Sequence, residues 1–533
     1  MVGKKEFCTF VAAVVKPPPS PSRRDVVGNA RTMQPTTEPK ILVEQGISNH
    51  LKNRSMRFLI FITVVVFLSC SANGQNCTCE NNFEWLKKTF EENDAGFQYI
   101  IDKKGQAAYN IHNQLILEKI KAAKTSTECT KLFYEWLTFF RSGHIGIERL
   151  TNETTPSQNF SQTTQKTEIW EGDISQFEKY IDTKKETNFE GIWETGAYKI
   201  GIKKEGTNYI GFIIEADVDG WREQGQIKLK IQQNGDKLQS TYYMRDYSID
   251  ESENPELIGN NYLQIGQWTL KRLKPVFSDD PIVENYFKSI NSRNPYLEEI
   301  NATTLYLRIP SFEYENKSVI DKVLAENKEK ILKTANLIID LRNNGGGSDQ
   351  CFEELLPFLY TNPIRTISVE FLSTVRNNQV FLEYSTNPDF DEDMRQWAKN
   401  VYDKLQERLG EFVFTFNEPV SIDRLDTVYE YPKNVGILIN EGNASTTEQF
   451  LLAAKQSKKV KLFGVTTSGA LDISNMASIE SPCKEFRLWY CLSRSMRIPD
   501  MTIDDIGLQP DFYLDKTIPQ YKWVEFVNEI LNQ

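Results

Sequence analysis

The chain has 533 residues, 40% hydrophobic and 25% charged, with a formal net charge of -11 at neutral pH. That length exceeds a single compact core and predicts two or three domains of ordinary globular composition. The acidic balance and the lack of any long basic stretch argue against a nucleic-acid partner.

Met56-Arg57 is followed by the apolar run Phe58 to Leu68 and then by SCSANGQ. Charged, apolar and small-residue regions in that order predict a signal peptide over residues 56–74, and eleven apolar residues are too few to span a bilayer. A signal belongs at a chain's start. Met56 is therefore expected to be the true start and residues 1–55, with their PPPSPSRR stretch, a spurious extension; a genuine disordered leader is the alternative. Leu68-Ser69-Cys70 resembles a bacterial lipoprotein box, in which a lipidated Cys70 would attach the protein to a membrane, whereas Ala72-Asn73-Gly74 could be an ordinary cleavage site. Either exit predicts export, to the cell envelope or beyond, where disulfides are permissible.

Beyond that segment lie Cys77, Cys79, Cys129, Cys351, Cys483 and Cys491. Cys483 and Cys491 flank the strand-like KEFRLWY and could close a small loop, or be two buried free thiols. Without histidines at zinc-like spacing these cysteines make no metal site. Asn152 and Asn301 head Asn-x-Ser/Thr triplets, which matter only in a host that glycosylates secreted proteins.

Residues 75–150 carry helical periodicity, as in FEWLKKTFEEN and YNIHNQLILEKIKAAK. The polar stretch Leu150 to Glu168 reads as an exposed linker. Over residues 170–278 the pattern becomes alternation with many aromatics, broken by turn signals such as EGTN and NGD, which predicts an antiparallel β-meander or small barrel. Residues 279–533 alternate strands (TTLYLRI, ANLIIDL, RTISVEFL, VGILIN, KLFGV) with helices (DKVLAENKEKILKT, TTEQFLLAAKQS), which predicts an α/β core.

Two segments of that core, about a hundred residues apart, carry the chemistry. Leu337 to Asp349 is a buried strand running into Gly345-Gly346-Gly347, where the backbone can approach a substrate and aim amides at it, although a permissive turn is the plainer reading. Val435 to Phe450 is a second strand, handing over at Ser445 to a helix. There the hydroxyl would face the first free amides of the helix, which favour an oxyanion; alone, Ser445 or Thr446 would read as an N-cap. Together the segments propose a serine hydrolase.

At these residues the chain resembles the tail-specific or C-terminal processing serine peptidases, whose relatives include the tricorn protease core. That family's DLRxNxGG strand end is matched by Asp340 to Gly347, its ASxSE motif by Ala444-Ser445-Thr446-Thr447-Glu448, its vGexTxG turn by Lys461 to Gly469, and its GvxPD by Gly507-Leu508-Gln509-Pro510-Asp511. The resemblance covers roughly residues 300 to 515. It implies a crotonase-like sheet with helices, no cofactor, a peptide or unfolded-protein substrate, and Ser445 as nucleophile. Thr446 and one of Gly345 to Gly347 would supply the oxyanion amides.

The departures bear on mechanism. The bacterial processing proteases place a lysine just after the TxG turn, but Ala470 follows Gly469 here and no lysine appears before Lys484. The tricorn-like branch uses an upstream histidine instead. Among His50, His112 and His144, the last resembles that base, sitting in Arg141-Ser142-Gly143-His144 after a helix, whereas His112 lies within a helical run and reads as structural. A near-neutral pKa suits a general base that later protonates the leaving amine. The branch's acid falls on Asp504, which is shorter than the usual glutamate and would reach His144 directly or through a hydroxyl such as that of Ser142; a surface acid is the alternative.

The region between His144 and the core shows no GLGF-like carboxylate loop, so tail specificity is not implied. Two other classes of function stay open. Retinoid-binding relatives use the same core without hydrolysis, and a shortened acid with a missing lysine fits a lapsed enzyme. Alternatively the β-meander binds an apolar ligand or envelope partner, for which an internal cavity would be needed.

Overall fold

The computed structural model describes residues 77–150 and 168–533, apart from 219, 235, 236 and 246. The signal segment, Cys70 and most of the expected linker lie outside the described residues. No helix among those described is long and apolar enough to cross a membrane.

The first part is helical: Cys79–Asn93, Phe97–Lys104, Gln106–Ala122 and Ser126–Leu137. Thr125 and Glu128 form a reciprocal capping box on the last of these. The helices bury Phe83, Phe90, Phe133 and Trp136, but not only against one another, because the same cluster contains Phe486, Leu488, Tyr490 and Leu492 from the chain's far end. Strand Gly146–Arg149 pairs antiparallel with strand Phe486–Ser495, joining a five-stranded sheet that also holds Ile473–Glu480, Val369–Leu372 and Phe412–Val413. Disulfide Cys77–Cys483 fastens the same junction, and Cys79–Cys129 ties the first of these helices to the last. The Cys483–Cys491 loop is thereby ruled out: Cys483 is spent on Cys77, and Cys491 is a buried free thiol, as is Cys351.

Between Gly191 and Lys274 nine antiparallel strands form one sheet, with Ile249–Glu253 and Glu256–Ile258 at its two edges. It curls: Trp268 Nε1 donates to Asp250 on the far edge strand at 3.0 Å, and the Trp268 ring stacks on Tyr242. Its interior is filled by Trp193, Ile200, Ile213, Trp221, Leu229 and Leu270, and the Lys228 ammonium lies over the rings of Tyr198, Trp221 and Tyr242. A filled interior counts against an apolar-ligand cavity.

The α/β core is a six-stranded sheet in the order Tyr296–Asn301, Thr304–Arg308, Asn336–Asp340, Asn434–Ile439, Val460–Gly464, Phe512–Tyr513, parallel except for its first pair. Strand periodicity sorts the side chains. Leu337 and Ile339 pack beneath helices Lys317–Ile331 and Thr446–Ala454, whereas Ile338 and Leu438 pack against helix Trp523–Leu531 on the other face. RTISVEFL was expected to join this sheet and does not. It splits into Ile364–Ile367, which pairs with Val420–Asp423, and Val369–Leu372, in the five-stranded sheet. Most of its residues are half-buried, unlike the wholly buried Asn336–Asp340, and that marks a peripheral strand.

Candidate active site

Strands Asn336–Asp340 and Asn434–Ile439 lie side by side in parallel, with Asp340 opposite Leu438, so both carboxyl ends open at the same edge of the sheet. The glycine run and Ser445 meet there. A Cβ added to Gly346, whose φ is +106°, would stand 2.8 Å from the Ser445 Cβ and 2.9 Å from the Thr446 nitrogen. Only glycine permits this approach.

Buried asparagines set the turn. Asn344 Oδ1 accepts from the amides of Phe312 (3.2 Å) and Gly346 (3.1 Å) and from the Thr447 hydroxyl (2.8 Å). The Gly346 amide is therefore occupied. The amides of Gly345, Gly347 and Thr446 find no protein acceptor among the described residues, and Gly345 has nothing near the position of an added Cβ.

Ser445 sits at φ 57°, ψ -125°, a conformation rare for any residue but glycine, and its side chain makes no capping bond to helix Thr446–Ala454. The N-cap reading of Ser445 is thereby excluded. Its amide donates to the Ala470 carbonyl at 2.9 Å, and its half-buried hydroxyl has no hydrogen-bond partner among the described residues. Glu448, one turn into the helix and fully buried, fixes the facing turn by accepting from the Thr467 hydroxyl and the amides of Gly469 and Ala470 at 2.5, 2.8 and 2.8 Å. Burial raises its pKa.

His144 reaches the same turn from the other side. A Cβ added to Gly143 would stand 2.5 Å from the Ala470 side chain, so the histidine-bearing loop lies directly on the residue whose carbonyl holds Ser445. His144 itself has φ 54°. Its Nδ1 lies 2.7 Å from the Ile473 carbonyl, an oxygen that can only accept, so Nδ1 carries the proton and Nε2 is left as the free base. Burial, helped by the charge of Arg141, lowers its pKa to about 4.

The loop is pinned from behind. Arg141 makes a two-pronged buried ion pair with Asp94 (2.8 and 2.6 Å) and donates to the His144 carbonyl at 3.0 Å. Asp94 also accepts from the amides of Gly96 and Cys491, tying the first helices to strand Phe486–Ser495. His112 stacks on Phe139 and meets the Trp136 carbonyl, inside the helical region.

Asp504 is beside this site but holds backbone rather than imidazole. Its carboxylate accepts from the amides of Leu471, Asp472 and Ile473 at 2.6, 2.6 and 3.0 Å. It therefore fixes the backbone leading into Ile473, whose carbonyl orients His144. Burial and the neighbouring Asp472 raise its pKa to about 6. Ser142 is no bridge between His144 and Asp504, because its hydroxyl donates to Asp505 at 2.9 Å. The sequence reading missed Asp94 and the Ile473 carbonyl, and quoted Arg141 and Asn344 within motifs without giving them a role. Glu448 stood in the quoted motif without a role; Asp94 carries no local signal.

Residues 303–514 match the model of peptidase family S41. The matched segment is a serine-type peptidase domain. No curated protein sequence matches the chain. Among solved structures it is similar to mature CPAF (12% identity over 85% of this chain and 96% of that one, TM-score 0.47), the photosystem II D1 C-terminal processing protease (11%, 85% and 97%, 0.35) and the tricorn protease (11%, 85% and 36%, 0.37).

Proposed function

We propose that this S41 peptidase is exported and hydrolyses peptide bonds in peptide or unfolded-protein substrates through an acyl-enzyme on Ser445, with His144 as general base. The observation that carries the reading is the placement of a strained serine with an unspent hydroxyl and a histidine with an unspent Nε2 on the two flanks of Ala470. In the first half-reaction Ser445 Oγ bonds to the substrate carbonyl carbon while its proton passes to His144 Nε2. The carbon–nitrogen bond then breaks, and the leaving amine takes that proton. Water, deprotonated by the same nitrogen, releases the acid and restores the serine.

The oxyanion is assigned to the amides of Thr446 and of Gly345 or Gly347, those left without acceptors. The Ile473 carbonyl takes the place a carboxylate holds in a Ser-His-Asp triad, and Asp504 acts one step further out as a positioning residue. Export is supported by two disulfides in a chain whose Phe58 to Leu68 run has the form of a signal.

The test is fluorophosphonate labelling of the folded protein beside Ser445→Ala and His144→Ala. Labelling lost in both variants is expected. A folded wild type that does not label would leave the chain a binding protein on a peptidase fold.

A further inference from the structure

Five consecutive amides, Gly469 to Ile473, all donate to just two carboxylates. Glu448 takes Gly469 and Ala470, both at 2.8 Å, and Asp504 takes Leu471, Asp472 and Ile473 at 2.6, 2.6 and 3.0 Å. The two acids come from separate parts of the chain: Glu448 from the first turn of the helix that follows Ser445, Asp504 from the loop after strand Phe486–Ser495. Glu448 acts purely as an acceptor, because the Thr467 hydroxyl accepts from the Leu508 amide at 2.7 Å and so gives its single proton to Glu448. The attachment at Asp504 is reciprocal. Asp472, inside the segment, accepts from the amides of Ile503 and Asp504 and is paired with Arg497.

The carbonyls of the same segment hold the two groups of the proposed reaction. Near one end the Ala470 carbonyl accepts from the Ser445 amide, and at the other the Ile473 carbonyl accepts from His144 Nδ1. We propose that Glu448 and Asp504 are a coupled pair of positioning residues, fixing the separation of Ser445 and His144 by holding the backbone from Gly469 to Ile473 as a strap between them. The inference rests on the acyl-enzyme reading of Ser445 and His144. A strap aligns the two groups only while both ends are held. Releasing the Glu448 end lets the Ala470 carbonyl shift under Ser445, and releasing the Asp504 end lets the Ile473 carbonyl shift under His144. Either cut loses the alignment, so the second cut removes little more.

The experiment is a double-mutant cycle on saturable fluorophosphonate labelling: wild type, Glu448→Gln, Asp504→Asn and the double variant, each well below its melting temperature. Glutamine keeps the reach of Glu448, but both of its ends face backbone donors, so its own N–H group must oppose one of them. Each single variant is expected to lower the maximal labelling rate by about 10- to 100-fold and to leave the half-saturating probe concentration within about twofold of wild type. The double variant should lie within about threefold of the slower single variant, whereas independent effects would multiply. Val527→Ala, buried in helix Trp523–Leu531 on the far face of the core sheet, lowers the melting temperature away from the strap and should label at the wild-type rate. Multiplying effects, a Glu448→Gln rate equal to wild type, or a loss that Val527→Ala shares overturn the proposal alone. If the double variant does not fold, the rate and half-saturation of Glu448→Gln decide, and a loss carried by half-saturation overturns it. A wild type that does not label overturns the Ser445 reading and this one with it.

Discussion

The Ile473 carbonyl accepts the Nδ1 proton of His144 at 2.7 Å, so the proposed base is oriented by a peptide group and not by a side-chain acid. A carbonyl fixes the tautomer as a carboxylate would, but it brings no full charge to stabilise the imidazolium. Its own position depends on Asp504, which gathers three consecutive amides up to Ile473.

Asp504→Asn should therefore slow Ser445 labelling by about 10- to 100-fold while destabilising the fold by only about 1–3 kcal/mol, because the asparagine amide opposes one backbone donor and shifts the chain that leads into Ile473. Labelling rates measured well below the melting temperature check this. An unchanged rate would show that the Ile473 carbonyl holds His144 without help.

The pKa of His144 is lowered from 6.5 to about 4 in the folded protein. Between those values the unfolded chain binds the extra proton and the folded one does not, so stability falls as pH drops from 6.5 towards 4. Because the side chain is partly exposed, the effect is about 1–2 kcal/mol. Urea unfolding across that window should show a smaller pH dependence for His144→Gln than for wild type. The acid limb of labelling should lie near 4, not 6.5.

Gly346→Ala would drive a methyl group to 2.8 Å from both the Ser445 Cβ and the Ala444 carbonyl oxygen, at a φ of +106°. A loss of about 2–4 kcal/mol and near-complete loss of labelling are expected. Gly345→Ala meets nothing within 4 Å and serves as the control, with stability close to wild type.

Asp94→Ala leaves the Arg141 guanidinium buried without its partner, at a cost of about 3–5 kcal/mol. The double variant Asp94→Leu, Arg141→Met should regain much of that stability. Its labelling should stay low, because the His144 carbonyl has lost the Arg141 donor. Chemical denaturation and labelling of the two variants separate the effects.

The strands of the core were legible because burial on both faces writes a continuous apolar run, as in Asn336–Asp340, and the antiparallel sheet was legible because alternation with turn residues is local. Ser445 and the glycines could be singled out because each ends such a run. Val369–Leu372 was misplaced, since a β-rich run does not say which sheet it joins. The cysteine pairing was misread for a related reason: Cys77 and Cys483 are 406 residues apart, and only the packing of the first helices on strand Phe486–Ser495 brings them together.

What the sequence determined by itself is therefore what depends on neighbours along the chain: strand, turn, helix start, and the scarcity that marked His144. Tertiary structure alone decided what depends on groups that meet across hundreds of residues. These are the Ile473 carbonyl at His144, the amides under Asp504 and the Asp94 ion pair behind the loop. A buried polar group must find a partner, yet its type says only that it needs one, and the fold selects which.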